Sequence, residues 1–147
     1  MSDPDISGIV DHAGVDLWRA WRTYEAAMYV RVAALGFPDI AVADSDILVH
    51  ITAAGTPFAS LAKTRGLSKQ AVHERVHSLV KRGYLELMPA PGDKRARIVR
   101  HTERGQELVE RLKDVKRALH REVEVALGKA RLTKLRAMLA KISSVLT

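Results

Sequence analysis

A mainly α-helical chain of one domain's length is predicted from three observations. First, aliphatic residues recur at three- and four-residue steps through both terminal thirds of the sequence. Second, hydrophobic residues make up 47% of the 147 residues but aromatics only 5%, so the core is aliphatic, which suits packed helices better than a β-sandwich. Third, the stretch between the helical thirds, Thr56 to Gly105, alternates helix-start and helix-stop signals and then turns strand-like. Helix, tight turn, helix, then a hairpin with a basic tip is a winged helix-turn-helix, a DNA-reading module. The expected organisation is an N-terminal dimerisation helix within 1–40, the winged module within 41–105, and C-terminal dimerisation helices within 106–147, with a two-stranded basic wing.

Each element has its own justification. Residues 1–8 are polar and expected to fray, or else to pack on a partner subunit. From about Ile9 to Leu35, Leu17, Trp21, Tyr24, Met28, Val32 and Leu35 recur at helical steps, and Gly36-Phe37-Pro38 ends the run. Trp18, Trp21 and Tyr24 sit within about two turns of this helix; packing in the core or against a second subunit is the first reading, and the wall of an effector pocket is the second. Asp44-Ser45-Asp46 supplies acid and capping groups to a helix running to about Ala54, with Ile47, Leu48 and Ile51 buried. His50 on that helix is read as a satisfied or exposed side chain, not a ligand.

Thr56-Pro57 reads as a hydroxyl cap followed by proline at the first helical position, starting a helix to Arg65 whose buried side is Phe58, Leu61 and Ala62. Thr56, Thr64 and Arg65 then lie within reach of backbone phosphates. Gly66-Leu67 makes the tight turn, and Ser68 to Arg82 is the recognition helix. Val72, Val76, Leu79 and Val80 fall on one apolar face, leaving Gln70, His73, Glu74, His77 and Lys81 outward and Ser68 and Lys69 at the exposed first turn. Glutamine can bridge adenine, lysine can donate to guanine and glutamate can accept from cytosine, so these types suit major-groove edges. The N-terminal residues of such a helix do most of the base reading, which weights 68–74 above 77–81. His73 and His77, one turn apart, share a surface, but zinc needs a further ligand and none with suitable spacing follows. No metal site is expected.

The hairpin from Tyr84 to His101 is the wing. Leu85 and Leu87 alternate with Tyr84, Glu86 and Met88, Pro89 to Asp93 makes the turn, and Ile98 is the expected inward residue of the return strand. Lys94, Arg95, Arg97 and Arg100 make the hairpin cationic, and arginine suits a narrow minor groove. Thr102 caps a helix carrying Leu108, Leu112, Val115, Leu119 and Val123, which Gly128 ends. A last helix from about Leu132 carries Leu135, Leu139, Ile142 and Leu146. The first and last elements of one subunit could cover each other's faces, but a two-fold dimer buries more surface and sets two recognition helices about 34 Å apart. Lys113, Lys116, Arg117 and Arg121 add a cationic flank.

These residues also carry a resemblance. Ser68-Lys69-Gln70-Ala71-Val72, Leu79 to Leu85, Asp93-Lys94-Arg95-Ala96-Arg97 and Thr102-Glu103-Arg104-Gly105, in that order and spacing, resemble the MarR family of bacterial transcriptional regulators. With the flanking helices the resemblance spans nearly the whole chain. It implies a homodimer that binds pseudo-palindromic operator DNA and is often released by a small molecule held between the first helix and the DNA module. It also implies that Arg95 is the wing-tip arginine entering the minor groove, with the Asp93 carboxylate orienting its guanidinium. His101 departs from the pattern, which has leucine before the threonine.

Charge and composition exclude other classes. The net charge of +7 is divided as −4 over residues 1–64, +6 over 65–105 and +5 over 106–147, so the cationic excess lies in the DNA module and the helices after it. The chain contains no cysteine, which removes disulfides, thiol redox sensing and thiolate metal sites, and with them the family's cysteine-based peroxide sensors. No signal peptide or membrane span is evident, so a cytoplasmic location is expected. No phosphate-binding glycine loop or paired catalytic carboxylates occur, and neither an enzyme nor a cofactor is expected. The competing reading is a winged helix kept as a protein-interaction module, which predicts weak, sequence-blind DNA affinity.

Overall fold

The computed structural model describes residues 12–61, 63 and 68–146, except the side chain of Lys94. Helix α1 spans Ala13–Ala34, opened by His12, whose Nδ1 accepts from the Gly14 amide at 3.1 Å. Its stripe is buried only in the middle, at Met28 and Val32, while Trp21 and Leu35 at either end are 53% and 46% exposed. Helix α2 spans Val42–Leu48, shorter than its apolar pattern suggests. The chain turns at Val49-His50, so Ile51 enters the core from a loop. His50 is exposed.

Thr56–Pro57 is a short strand, β1, and not a helix start. It pairs antiparallel with Val99 and Ile98, a partnership some forty residues away that no local signal announces. Thr56 Oγ1 donates to the His50 carbonyl at 3.0 Å and accepts from the Thr52 amide at 3.1 Å, so the hydroxyl pins a turn instead of capping a helix. Pro57 is tolerated because β1 lies at the sheet edge. Helix α3 spans Phe58–Leu61; Ala62, Thr64, Arg65, Gly66 and Leu67, like residues 1–11, lie outside the described residues.

Helix α4 spans Lys69–Lys81, and β2 (Leu85–Ala90) and β3 (Asp93–His101) form the hairpin, giving a three-stranded sheet of order β1-β3-β2 instead of a two-stranded wing alone. The return strand buries Val99 fully, with Ile98 only half-buried on the opposite side. Tyr84 is not part of the alternation. It precedes β2 and is fully buried, with its ring 6.1 Å from Phe37. Helix α5 spans Glu103–Leu127 and α6 spans Lys129–Val145, separated by Gly128 at φ 80°. Leu108, Leu112, Val115 and Leu119 are all buried, which seats α5 against α1 and the winged module. On α6 only Leu132 is buried; Leu139 and Ile142 are 38% and 37% exposed and Leu146 is 80% exposed.

A candidate nucleic-acid interface

Two polar networks hold the reading elements in place. Arg82, the residue closing α4, makes a bidentate pair with Asp44 of α2 at 2.9 and 3.1 Å and also donates to the Asp39 carbonyl. Asp44 is buried and its other task is to accept from the Ala41 amide at 2.9 Å, so one carboxylate closes α2 at its start and α4 at its end. The second network centres on Tyr84, whose hydroxyl donates to Asp39 Oδ1 at 2.6 Å and accepts from Arg104 at 3.1 Å. Burial, then the Asp39 hydrogen bond, push the Tyr84 phenol above its ordinary value. Sequence reading missed both networks, because their partners are separated by twenty to forty-five residues. The only local sign was the arginine-glycine-tyrosine run ending α4.

Helix α4 starts at Ser68, whose Oγ accepts from the Ala71 amide at 3.1 Å. Val72, Val76 and Leu79 are completely buried, and the opposite face, with Lys69, Gln70, His73, Glu74, His77 and Lys81, is exposed. The residues singled out from sequence therefore share one solvent-facing surface. Within it Gln70 Nε2 donates to Glu74 Oε1 at 3.0 Å. The His73 and His77 rings lie 4.2 Å apart, and Phe58 of α3 meets them at 5.7 and 6.2 Å. The histidines thus form part of the contact between the two helices as well as of the exposed face. No cluster of three metal-ligating side chains occurs among the described residues.

In the wing, Pro91-Gly92 makes the turn, with Gly92 at φ 80°, a value that favours glycine in the third place of a type II turn. Asp93 does not hold the Arg95 guanidinium. Its Oδ1 accepts from the backbone amides of Arg95 and Ala96 at 2.8 and 3.3 Å, closing an Asx-type turn that shapes the wing tip. An acceptor three bonds from its own Cα reaches neighbouring amides more readily than a long side chain that extends into solvent. Arg95 and Arg97 are exposed, whereas Arg100 is drawn back, its Nε donating to the Ala54 carbonyl at 3.3 Å. His101 Nε2 lies 3.2 Å from the Leu48 carbonyl. Burial outweighs that hydrogen bond, and with the nearby Lys113 charge it lowers the His101 imidazole below its ordinary value.

The wing root joins α5 at Thr102. Its hydroxyl accepts from the Gly105 amide at 3.1 Å and donates to the Gly83 carbonyl at 2.6 Å, while its amide donates to the Tyr84 carbonyl at 3.1 Å. A cleft of about 620 Å³ opens beside this joint, with Thr52, Glu86, Arg100, His101 and Lys113 in its walls. A second, of about 540 Å³, lies between the end of α1 and α5, beside Arg31, Leu35, Arg117 and Arg121. Trp18 and Trp21 are 62% and 53% exposed, and Trp21 stacks on Tyr24 with centroids 6.2 Å apart. They line neither cleft.

Architecture and site define a winged helix-turn-helix protein whose recognition helix and wing both face solvent. Residues 36–96 match the MarR family model. Wild-type MarR from E. coli in its apo form is 25% identical, with 89% of this chain and 96% of that one covered and a TM-score of 0.68. A mutant of the same protein complexed with operator DNA gives 23% identity, 95% and 99% coverage and a TM-score of 0.74. PcaV from Streptomyces coelicolor, in complex with its natural ligand, gives 18% identity, full coverage of both chains and a TM-score of 0.68. No curated protein sequence matches the chain. The chain thus carries the sequence pattern of the MarR family across residues 36–96 and has the winged helix-turn-helix fold of the MarR structures along nearly its whole length.

Proposed function

We propose that the protein is a homodimeric transcriptional regulator, acting as a repressor, that binds a pseudo-palindromic operator. The observation that carries this is the joint exposure of the polar face of α4 and the arginines of the wing on a scaffold shared with an operator-bound relative. In this reading Lys69, Gln70, His73 and Glu74 meet base edges in the major groove, with Ser68 and His77 at the margins. Arg95 enters the minor groove, supported by Lys94 and Arg97, and Asp93 shapes the turn that presents it.

Dimerisation is proposed through the segments 1–40 and 106–147. The support is the uncovered stripe of Leu139, Ile142 and Leu146 on α6 and the exposed Trp18 and Trp21 on α1, an apolar surface that one copy leaves in water. A second copy covers both. Release by a small aromatic effector is the regulatory part of the proposal. Trp18, Trp21 and Tyr24 are its proposed contacts, with the missing wall of that pocket supplied by the second copy. The described residues contain no helix long and apolar enough to cross a membrane, and a cytoplasmic location is part of the proposal.

The test is selection of bound duplexes from a random library at about 150 mM salt, where non-specific phosphate binding is weak. Recovery of a pseudo-palindrome with half-sites about 10 base pairs apart is the expected result. Binding without a motif, fading as salt rises, refutes operator recognition and returns the chain to the interaction-module reading.

A further inference from the structure

Gln70 and Glu74 stand one helical turn apart at the amino-terminal half of α4, both exposed, joined by the 3.0 Å hydrogen bond from the Gln70 amide. An ionised carboxylate only accepts, so chemistry fixes which end of the amide faces Glu74. One amide proton is consumed by the pair. What remains outward is the Gln70 carbonyl oxygen, a single N–H, and the lone pairs of the second Glu74 oxygen. Gln70 is the hydrogen-bond partner of Glu74 among the described residues, and Glu74 is the one acidic residue of α4.

We propose that the Gln70–Glu74 pair reads the operator as a unit, selecting a base edge with an exocyclic amine, cytosine N4 or adenine N6, and rejecting guanine and thymine at that place. The inference rests on the operator-binding reading above. An amine set against this surface makes a charge-assisted hydrogen bond. Guanine O6 and N7, or thymine O4, placed against the free Glu74 oxygen would instead set acceptor against acceptor with both stripped of water, the costly arrangement for buried polar groups, and the one remaining Gln70 N–H does not relieve it at that oxygen. Glu74 also repels phosphate wherever α4 rests on DNA, so it weakens binding to every sequence that offers no amine. Discrimination comes as much from that rejection as from the new bond. The bond between the two side chains holds them in place before DNA arrives, which lowers the entropy lost on docking.

The experiment repeats the duplex selection with the wild-type chain, Glu74→Gln and Gln70→Ala, after circular dichroism has shown that both exposed-site variants fold. In the wild type one column of each half-site is expected to be cytosine or adenine, and which of the two dominates names the amine. In Glu74→Gln that column loses its preference by about ten- to a hundredfold, while affinity for non-operator duplex rises. Gln70→Ala flattens the same column. A Glu74→Gln motif that superimposes on the wild type at every column overturns the proposal, and so do two variants that flatten different columns. A wild-type selection without any motif is distinguishable from both, because it removes operator recognition itself.

Discussion

Gly105→Ala pits two physical effects of opposite sign against each other. Gly105 is the third residue of α5, inside a helix, and by helix propensity alone alanine there is more stable by about 1 kcal/mol. The structure argues the reverse. A Cβ on residue 105 would overlap the Tyr84 carbonyl oxygen and come to 3.0 Å from its carbon and 3.4 Å from His101 Cβ. The nearest of these are backbone atoms, which cannot swing aside, so the first turn of α5 has to move away from residue 84. Such overpacking costs about 1–3 kcal/mol. The same movement stretches the Thr102 hydrogen bonds to Gly83 and Tyr84, each worth about 1 kcal/mol. Set against the propensity gain, the net loss is about 2–4 kcal/mol. For a chain of this size that lowers Tm by roughly 5–15 °C. Thermal unfolding followed by circular dichroism, with urea titration to check that the m-value is unchanged, measures it. A Tm equal to or above the wild type would refute the reasoning and leave propensity as the governing effect.

Other expectations concern the wing, pH and assembly. Asp93→Asn keeps an acceptor for the two wing-tip amides and should hold operator affinity within about threefold, whereas Asp93→Ala should lose about tenfold in a fluorescence-anisotropy titration; a loss in both variants would mean that the carboxylate's charge matters after all. Arg95→Ala should weaken operator binding by about five- to 150-fold, and an unchanged Kd would remove the wing from the groove. His101 is held neutral by burial and its folded-state value lies below the unfolded one, so the unfolded chain binds the extra proton first. Its contribution is present above about pH 6.5 and is lost as pH falls below that value. In His101→Leu the drop in Tm between pH 7.5 and pH 5.5 should therefore be smaller than in the wild type. Ile142→Glu places a charge on the uncovered α6 stripe and should shift the protein to monomer in sedimentation experiments, with tight operator binding lost.

How far the sequence could be read depended on the range of the interactions. The start of α4 at Ser68, the cap at Thr102 and the stop at Gly128 are each decided by a residue and its neighbours within four positions, and they stand where the pattern put them. The buried faces of α4 and α5 likewise follow from spacing alone. Thr56-Pro57 carries the local signature of a helix start, yet its hydroxyl serves a turn and its backbone pairs with Val99, because β3 arrives from far along the chain. Tyr84 looked like one residue of an alternating strand; a phenol with Asp39 and Arg104 to satisfy it can be buried whole, and no period of two expresses that. Asp93 was assigned to the guanidinium beside it, whereas two backbone amides lay nearer. On α1, the same spacing that buried Met28 and Val32 left Trp21 in solvent, since what covers a helix face is set by the neighbours and not by the helix.

The joint at Thr102 turns α5 into a lever. Gly83 and Tyr84, just beyond the end of the recognition helix, are fastened to the start of a 25-residue helix by two hydrogen bonds from Thr102 and a residue that has no room for a side chain. Such a helix is about 37 Å long. Were its far end to tilt by about 5°, a head fixed to the near end would travel about 3 Å, comparable to the rise of one base pair. With the head clamped to the shaft, the proposed dimer would set the register of its two heads on DNA at the opposite end of the molecule, where α5 and α6 meet. A molecule wedged there would need to touch neither the recognition helix nor the wing to put the heads out of step with the groove.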